Sequence, residues 1–415
     1  MDSFSPIRSQ KTEQAEKQTI LGHKGLIVFL ILSNTFVPLS TDMYLPALPN
    51  MSRFFSATTA VTNLTLTVFF LFYGVATIFW GPFCDKYGRR PCIIAGAVCY
   101  AAASLACAAS VSIQMLIAAR IFQAIGAGAI ITISMAIVKD CFIGSARERI
   151  LAFIYTMGGL APMLAPVLGG QILRFFNWRY VFLTLALLGM ICLSLALCFK
   201  ETQPEAERCR GKLADSFHRF HILLKEKSFI IPVVLFALPM IPFMGYIALS
   251  SYIYEGFFGL SEQAYSFFFA ANAFICMLSP SFYLRFVADK PKALIGALIF
   301  LTDSVLGLLM ICIGSIAPWT FWLSFVGFGF VHGACRTFSV NLILDQHQGD
   351  SGSAASLIAS SGILFGSVGT VLASSALGVF PIVPTLGALM FLFCFLPLLG
   401  WRLFLKSSIP CAGVK

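Results

Sequence analysis

The sequence predicts an all-α membrane protein with twelve transmembrane helices, arranged as two pseudo-symmetric six-helix bundles. Three observations carry that reading. First, 58% of the 415 residues are hydrophobic and 11% are charged, with a mean hydropathy of +0.87. A soluble domain carries about a quarter charged residues, and here the charges are missing from long apolar runs rather than thinned evenly. Second, those runs have the length of membrane crossings, each needing roughly 20 apolar residues to span about 30 Å of hydrocarbon. Third, the longest polar interval, 200–228, divides the runs six and six.

The expected crossings, in order, are 25–47, 59–81, 91–110, 113–138, 149–172 and 178–199, then 229–254, 263–287, 292–313, 318–343, 353–378 and 382–405. This gives an N-terminal tail (1–24), a first bundle (25–199), a linker (200–228), a second bundle (229–405) and a C-terminal tail (406–415). The tail before Leu26 is polar, with Arg8, Lys11, Lys17 and Lys24. No cleavable leader is expected there, and the first helix is its own targeting segment. Lys86, Arg89, Arg90, Lys139, Arg147, Arg149, Lys290 and Lys292 fall on one side, whereas the other has Arg53, Arg174 and Arg179. Basic residues mark the cytoplasmic side, so both termini are expected in the cytoplasm of a cell whose inner membrane holds the chain.

The halves also echo one another. Asp85-Lys86 matches Asp289-Lys290, and Asp140 matches Asp345, each pair about 205 residues apart. A six-plus-six duplication is a transporter architecture whose substrate site lies near mid-membrane.

Several classes of function drop out. The formal net charge of +10 follows membrane sidedness rather than a basic stripe, so no nucleic-acid partner is expected. Most of the thirteen cysteines lie inside apolar runs, including Cys92, Cys107, Cys192 and Cys394, without CxxC pairs or neighbouring histidines. They read as packing groups rather than metal ligands. No GxxxxGK[ST] sequence cradles a nucleotide, and no nucleophile–base pair marks an enzyme. No cofactor, metal or catalytic residue is expected.

Four motifs in order carry a family resemblance across essentially the whole chain. Gly81-Pro-Phe-Cys-Asp85-Lys-Tyr-Gly88-Arg89-Arg90-Pro91 resembles the cytoplasmic loop signature of the major facilitator superfamily. Arg120-Ile-Phe-Gln123-Ala-Ile-Gly126-Ala-Gly128 is similar to its fourth-helix motif. Ala165-Pro166-Val-Leu-Gly169-Gly170 is similar to the fifth-helix motif of its antiporters, with Ala165 where glycine is usual. Pro38-Leu-Ser-Thr-Asp42-Met-Tyr44-Leu-Pro46-Ala-Leu-Pro49, with Leu344-Asp345 and Gly352-Ser-Ala-Ala-Ser-Leu, resembles the Bcr/CflA-type drug:proton antiporters.

The physics of each motif stands beside that likeness. Gly88 suits a tight turn and Pro91 a helix start. Asp85 near a helix N-terminus at Ser351 and Ser353, with Arg89 or Arg90, would latch one half against the other; plain basic anchoring of the loop is the alternative. Asp42 and Arg120 lie in otherwise apolar helices, where a lone charge costs at least ~2.5–3.5 kcal/mol. In the superfamily's fold the first and fourth helices line a central cavity, so the two charges are expected to face each other or a shared water pocket. The resemblance makes Asp42 the protonation and substrate-recognition site and Arg120 its coupling partner. A helix-end acid reaching water, and a structural ion pair, are the plainer readings.

Gly158, Gly159, Pro162, Pro166, Gly169 and Gly170 form a bendable, small-faced fifth helix, an antiporter hinge by resemblance and a packing face otherwise. Tyr44, Asn63, Tyr73, Gln123 and Asn272 are cavity candidates. Asp303 and His332 are a candidate pair or second proton path, and Arg336 is expected to reach the cytoplasmic surface. The function that follows is proton-coupled efflux of small organic molecules by a monomer, with the substrate, protons and the lipid bilayer as its partners. Proton-coupled transport of a metabolite such as an amino acid or sugar is the alternative.

Overall fold

A computed structural model describes residues 21–203, 208, 223–346, 351–377 and 379–406. Most of the expected linker and of both tails lies outside the described residues. Fourteen α-helices are described: α1 (Gly22–Asp42), α2 (Leu48–Phe54), α3 (Thr59–Tyr87), α4 (Arg89–Ala108), α5 (Ile113–Cys141), α6 (Gly144–Phe175), α7 (Trp178–Cys198), α8 (Lys227–Ala237), α9 (Met240–Ser251), α10 (Glu262–Phe286), α11 (Lys292–Ile313), α12 (Pro318–Gln346), α13 (Ser351–Ser375) and α14 (Ile382–Lys406).

They make twelve crossings, because two crossings are broken. α1 continues through a 3₁₀ turn at Leu45–Ala47 into α2, and α8 continues through α9 into a π-helical turn at Tyr252–Phe257. Eleven of the twelve are long and apolar enough to cross a membrane by length and composition. α12 is 29 residues long but diluted by Ser324, His332, Arg336, Ser339 and Asn341.

The breaks follow from proline. The sequence ends the first crossing at 47, reading Leu45-Pro46 as a stop, but the structure carries it to Phe54. Pro49 sits in the first turn of α2, where its missing N–H costs nothing and its fixed φ favours a helix. The proline run therefore interrupts the crossing without ending it. The second crossing is longer than expected, since α3 runs to Tyr87, while the third keeps 20 residues but begins two earlier, at Arg89. The loop between them shrinks to Gly88, at φ +96°, which glycine adopts without strain.

The chain divides into two compact units. The first comprises Met1–Tyr44 and Val75–Asp215, and the second Leu45–Gly74 and Ser216–Lys415. In the first, α4 packs between α5 and α7, while α1 lies on α5 and α6. Gly126 brings α5 against α4, since a Cβ there would meet the Tyr100 amide nitrogen at 2.6 Å.

In the second unit, α9 packs on α13, α10 on α12, and α11 on both α12 and α14. Its core gathers Phe236, Phe300, Phe338, Leu398 and Trp401, and the Trp401 indole donates to the Ala293 carbonyl at 3.0 Å. Residues 45–74 join this unit through side chains. Asn63 donates to the Ala248 carbonyl at 3.1 Å and to the Ser374 hydroxyl at 2.9 Å. Thr67 and Thr370 share a hydrogen bond at 2.7 Å.

Candidate functional site

The break in the first crossing builds the site. Asp42 is the last residue of α1, and Phe54, where α2 ends, lies twelve residues further on. It sits inside the crossing and not at its rim, and it is 6% exposed. Thr41 donates its hydroxyl to the Asp42 Oδ1 at 2.8 Å. The reading of Asp42 as a helix-end acid reaching water therefore conflicts with its burial.

Arg120, on α5, is fully buried. Its Nη1 donates to the Ser40 carbonyl at 2.9 Å and to the Gln123 Oε1 at 2.6 Å. Its guanidinium lies 4.7 Å from the Tyr44 ring centroid and 5.9 Å from that of Phe182, a cation–π arrangement. Gln123 passes the chain on, donating to the Ser104 hydroxyl at 2.8 Å. Ser104 bonds the Tyr100 carbonyl at 2.7 Å, and the Tyr100 hydroxyl pairs with Ser40 at 2.6 Å.

The expected face-to-face pairing of Asp42 with Arg120 is thus replaced by an indirect one. The guanidinium grips the helix backbone two residues before Asp42 and the ring two residues after it. Arginine's planar fork suits such a multi-point hold. Tyr44 and Gln123 belong to this network, whereas Ser40, Tyr100, Ser104 and Phe182 were not singled out from sequence. Their types are ordinary in apolar helices, so no sequence signal marks them.

The fifth crossing meets the break directly. A Cβ on Gly169 would run into the carbonyl of Met43, the residue after Asp42. Gly169 thus lets α6 touch the broken backbone, and Pro166 and Gly170 are buried on the same stretch. α6 runs as one continuous helix through Pro162 and Pro166. Gly158 has open space around it.

At the far end of α3 lies the loop motif. Gly81 and Asp85 belong to α3 itself. Arg89 donates from Nη1 to Asp85 at 2.6 Å and from Nε to Asp140 on α5 at 2.9 Å, with its own side chain only 8% exposed. Glu201 completes the cluster. Its carboxylate accepts from the Arg89 and Arg90 amides, each at 3.0 Å. These are the first two free N–H groups of α4, and Pro91 removes the third. The acid thus caps a helix N-terminus. Arg90 reaches the Leu197 carbonyl at 3.0 Å. Glu201 falls in the expected linker, 200–228, and nothing in its spacing links it to residue 89. The Ser351 and Ser353 side chains, against which Asp85 was expected, lie outside the described residues.

The remaining candidates lie in the second unit. Asn63 is a fully buried strut rather than a cavity residue, bonded as above. Tyr73 stacks on Phe69 at 6.4 Å. Asn272 is buried beside Gly329 of α12. Asp303 and His332 do not form the expected pair. Both carboxylate oxygens of Asp303 are buried without a hydrogen bond, within electrostatic reach of Cys335 and Cys394. The His332 ring instead stacks on Phe243 at 4.7 Å. Cys335, one turn further along α12, is packed in the core with Ile299 and Phe300 of α11.

A chain of twelve helical crossings, eleven of them long and apolar enough to span a membrane, with buried charges held by its own helices, is a multi-pass membrane transporter. The Major Facilitator Superfamily model matches residues 30–370, and the chain belongs to that superfamily. An uncharacterised MFS-type transporter of Bacillus subtilis, YdgK, is 30% identical over 80% of this chain and 84% of its own. A bicyclomycin resistance protein homologue of Haemophilus influenzae is 25% identical over 88% and 94%. The crystal structure of a D-xylose–proton symporter superposes at a TM-score of 0.72, with 13% identity over 94% of this chain and 99% of that one, and so shares the fold.

Proposed function

We propose that the protein is a proton-coupled exporter of small organic molecules, working as a monomer by alternating access in the inner membrane with both termini cytoplasmic. The observation that carries this reading is Asp42, an acid 6% exposed at a helix break inside a membrane crossing. A carboxyl kept there is costly unless its proton comes and goes. Arg120, anchored on either side of it, transmits any movement of the break. The bicyclomycin-resistance relative supports export of a drug-like molecule. The basic residues beside the 81–91 loop support its cytoplasmic placement.

Two parts then act on the cycle. The Gly169–Met43 contact makes α6 the element that moves with the break. Arg89, shared between Asp85 and Asp140, is the clamp whose release accompanies a change of state.

Proteoliposomes loaded with a pH-sensitive dye test the reading. Adding a drug identified by a resistance screen in pump-deficient cells should drive proton movement through the native protein. Asp42→Asn should abolish that movement while the protein still inserts and purifies as usual. Undiminished gradient-driven export by Asp42→Asn would overturn the assignment.

A further inference from the structure

Ser40, two residues before Asp42, is held from two helices at once. It lies in the last turn of α1, where helix carbonyls run out of partners. The Arg120 guanidinium of α5 satisfies the Ser40 carbonyl at 2.9 Å. The Ser40 hydroxyl donates to the Phe36 carbonyl one turn back, at 2.5 Å, and so uses its only hydrogen. The 2.6 Å bond between Ser40 Oγ and the Tyr100 hydroxyl therefore runs from the phenol of α4 to the serine. Backbone and side chain of one residue are gripped by separate helices, and Ser40, Tyr100 and Arg120 are all fully buried.

Tyr100 sits in a seat with no slack. A Cβ on Gly189 of α7 would meet its ring at 2.9 Å, and one on Gly126 of α5 would meet its amide nitrogen at 2.6 Å. The Phe36 ring abuts it edge-on at 4.7 Å. A phenylalanine would fill that seat equally well. The hydroxyl is the addition, and a buried phenol needs a partner. That partner is Ser40. The bonds from Arg120 to Gln123, from Gln123 to Ser104 and from Ser104 to the Tyr100 carbonyl close the circuit at 2.6, 2.8 and 2.7 Å. The two donors that converge on Ser40 are thus fixed relative to each other. Asp42 follows Ser40 by two residues, about 200° further round the helix, which turns its carboxyl away from both donors.

We propose that Tyr100 is a positioning residue for Asp42. Its hydroxyl, acting through Ser40, holds the end of α1 in the rotation that leaves the Asp42 carboxyl only 6% exposed. What that restraint means for transport rests on the export reading; the restraint itself does not.

The test measures access to Asp42 without a gradient. Purified full-length protein in lipid nanodiscs is treated with a water-soluble carbodiimide and glycine ethyl ester. Mass spectrometry follows the modified peptide, with Asp42→Asn as the blank. Tyr100→Phe keeps the ring and removes one hydrogen bond, so Asp42 should react about two- to tenfold faster, the factor that one ordinary hydrogen bond represents. Ser40→Ala removes the same bond from the other side. It should accelerate the reaction equally, and the double variant should go no faster than either. Tyr265→Phe is the control, since it breaks an equivalent buried bond to Ser250, 2.9 Å long, in the second unit. It should lower the unfolding temperature as Tyr100→Phe does and leave the Asp42 rate alone. An unchanged rate in Tyr100→Phe, or in Ser40→Ala should the first variant fail to insert, would overturn the proposal. So would an equal acceleration by Tyr265→Phe, or full additivity in the double variant. Gradient-driven export that survives Asp42→Asn, with these rates as expected, would remove the export reading alone.

Discussion

The two broken crossings use the same backbone device and differ in what they carry. In the first unit α1 breaks after Asp42, and Gly169 of α6 is pressed onto the Met43 carbonyl. In the second unit α8 breaks after Ala237, and Gly369 of α13 is pressed onto the Ile241 carbonyl. Each is a proline-interrupted helix with a glycine of another helix against its bare backbone. Only the first places an acid at the break with an arginine gripping both flanks. At the second, Tyr246, Phe325, Phe243 and His332 form an aromatic stack, and the cation stands further along, at Arg336. The two units thus share one backbone device, a broken helix met by a glycine, and proton chemistry is proposed for the first alone.

Substitutions can break or sharpen that contrast. The largest effect is expected from Gly169→Ala. Its methyl would overlap a backbone carbonyl, and overpacking of this kind costs roughly 1–3 kcal/mol, read as a lower unfolding temperature in detergent. Gly369→Ala should cost a similar amount. Only Gly169→Ala should also change the rate at which a hydrophobic carbodiimide modifies Asp42; an equal change from both would erase the distinction between the hinges.

Next comes Arg120→Lys. An ammonium cannot hold Ser40, Gln123 and the Tyr44 face together, and buried groups left unmatched cost about 1–3 kcal/mol. The expected result is lost stability and loss of drug-driven proton movement. Retained coupling would show that the grip on the Asp42 flanks is not needed.

Glu201→Ala should be milder, about 0.5–2 kcal/mol for a lost N-terminal cap. It should be measurable by thermal unfolding, with Glu201→Gln retaining part of the stability. Smallest is Asp303→Leu. Both Asp303 oxygens are buried and unbonded, so an apolar replacement is expected to be neutral or to stabilise by about 1 kcal/mol, with transport unchanged. A collapse of transport in Asp303→Leu would instead make Asp303 a second proton carrier.

The residues that sequence reading placed well are those whose signal is local. Gly88 announces its turn by type, and the apolar runs announce their crossings by length. Where it went astray, the missing information was spatial. Leu45-Pro46 read as an end because the chain cannot reveal that a helix resumes at Leu48. Asp42 and Arg120 were matched through the helices that carry them, but not by rotation about each helix axis, which sequence does not supply. The same gap joined Asp303 to His332 on paper. It also hid Glu201, which reaches the α4 start only because α7 packs beside α4.

By itself the sequence determined that this chain crosses a membrane twelve times, because moving some twenty apolar side chains out of water is decided within each segment. It also determined which few charges are stranded among them. The tertiary structure alone decided what those charges touch. A buried polar group is satisfied by whichever atom lies within about 3 Å, and that is set by how helices rotate and how closely glycine lets their backbones approach.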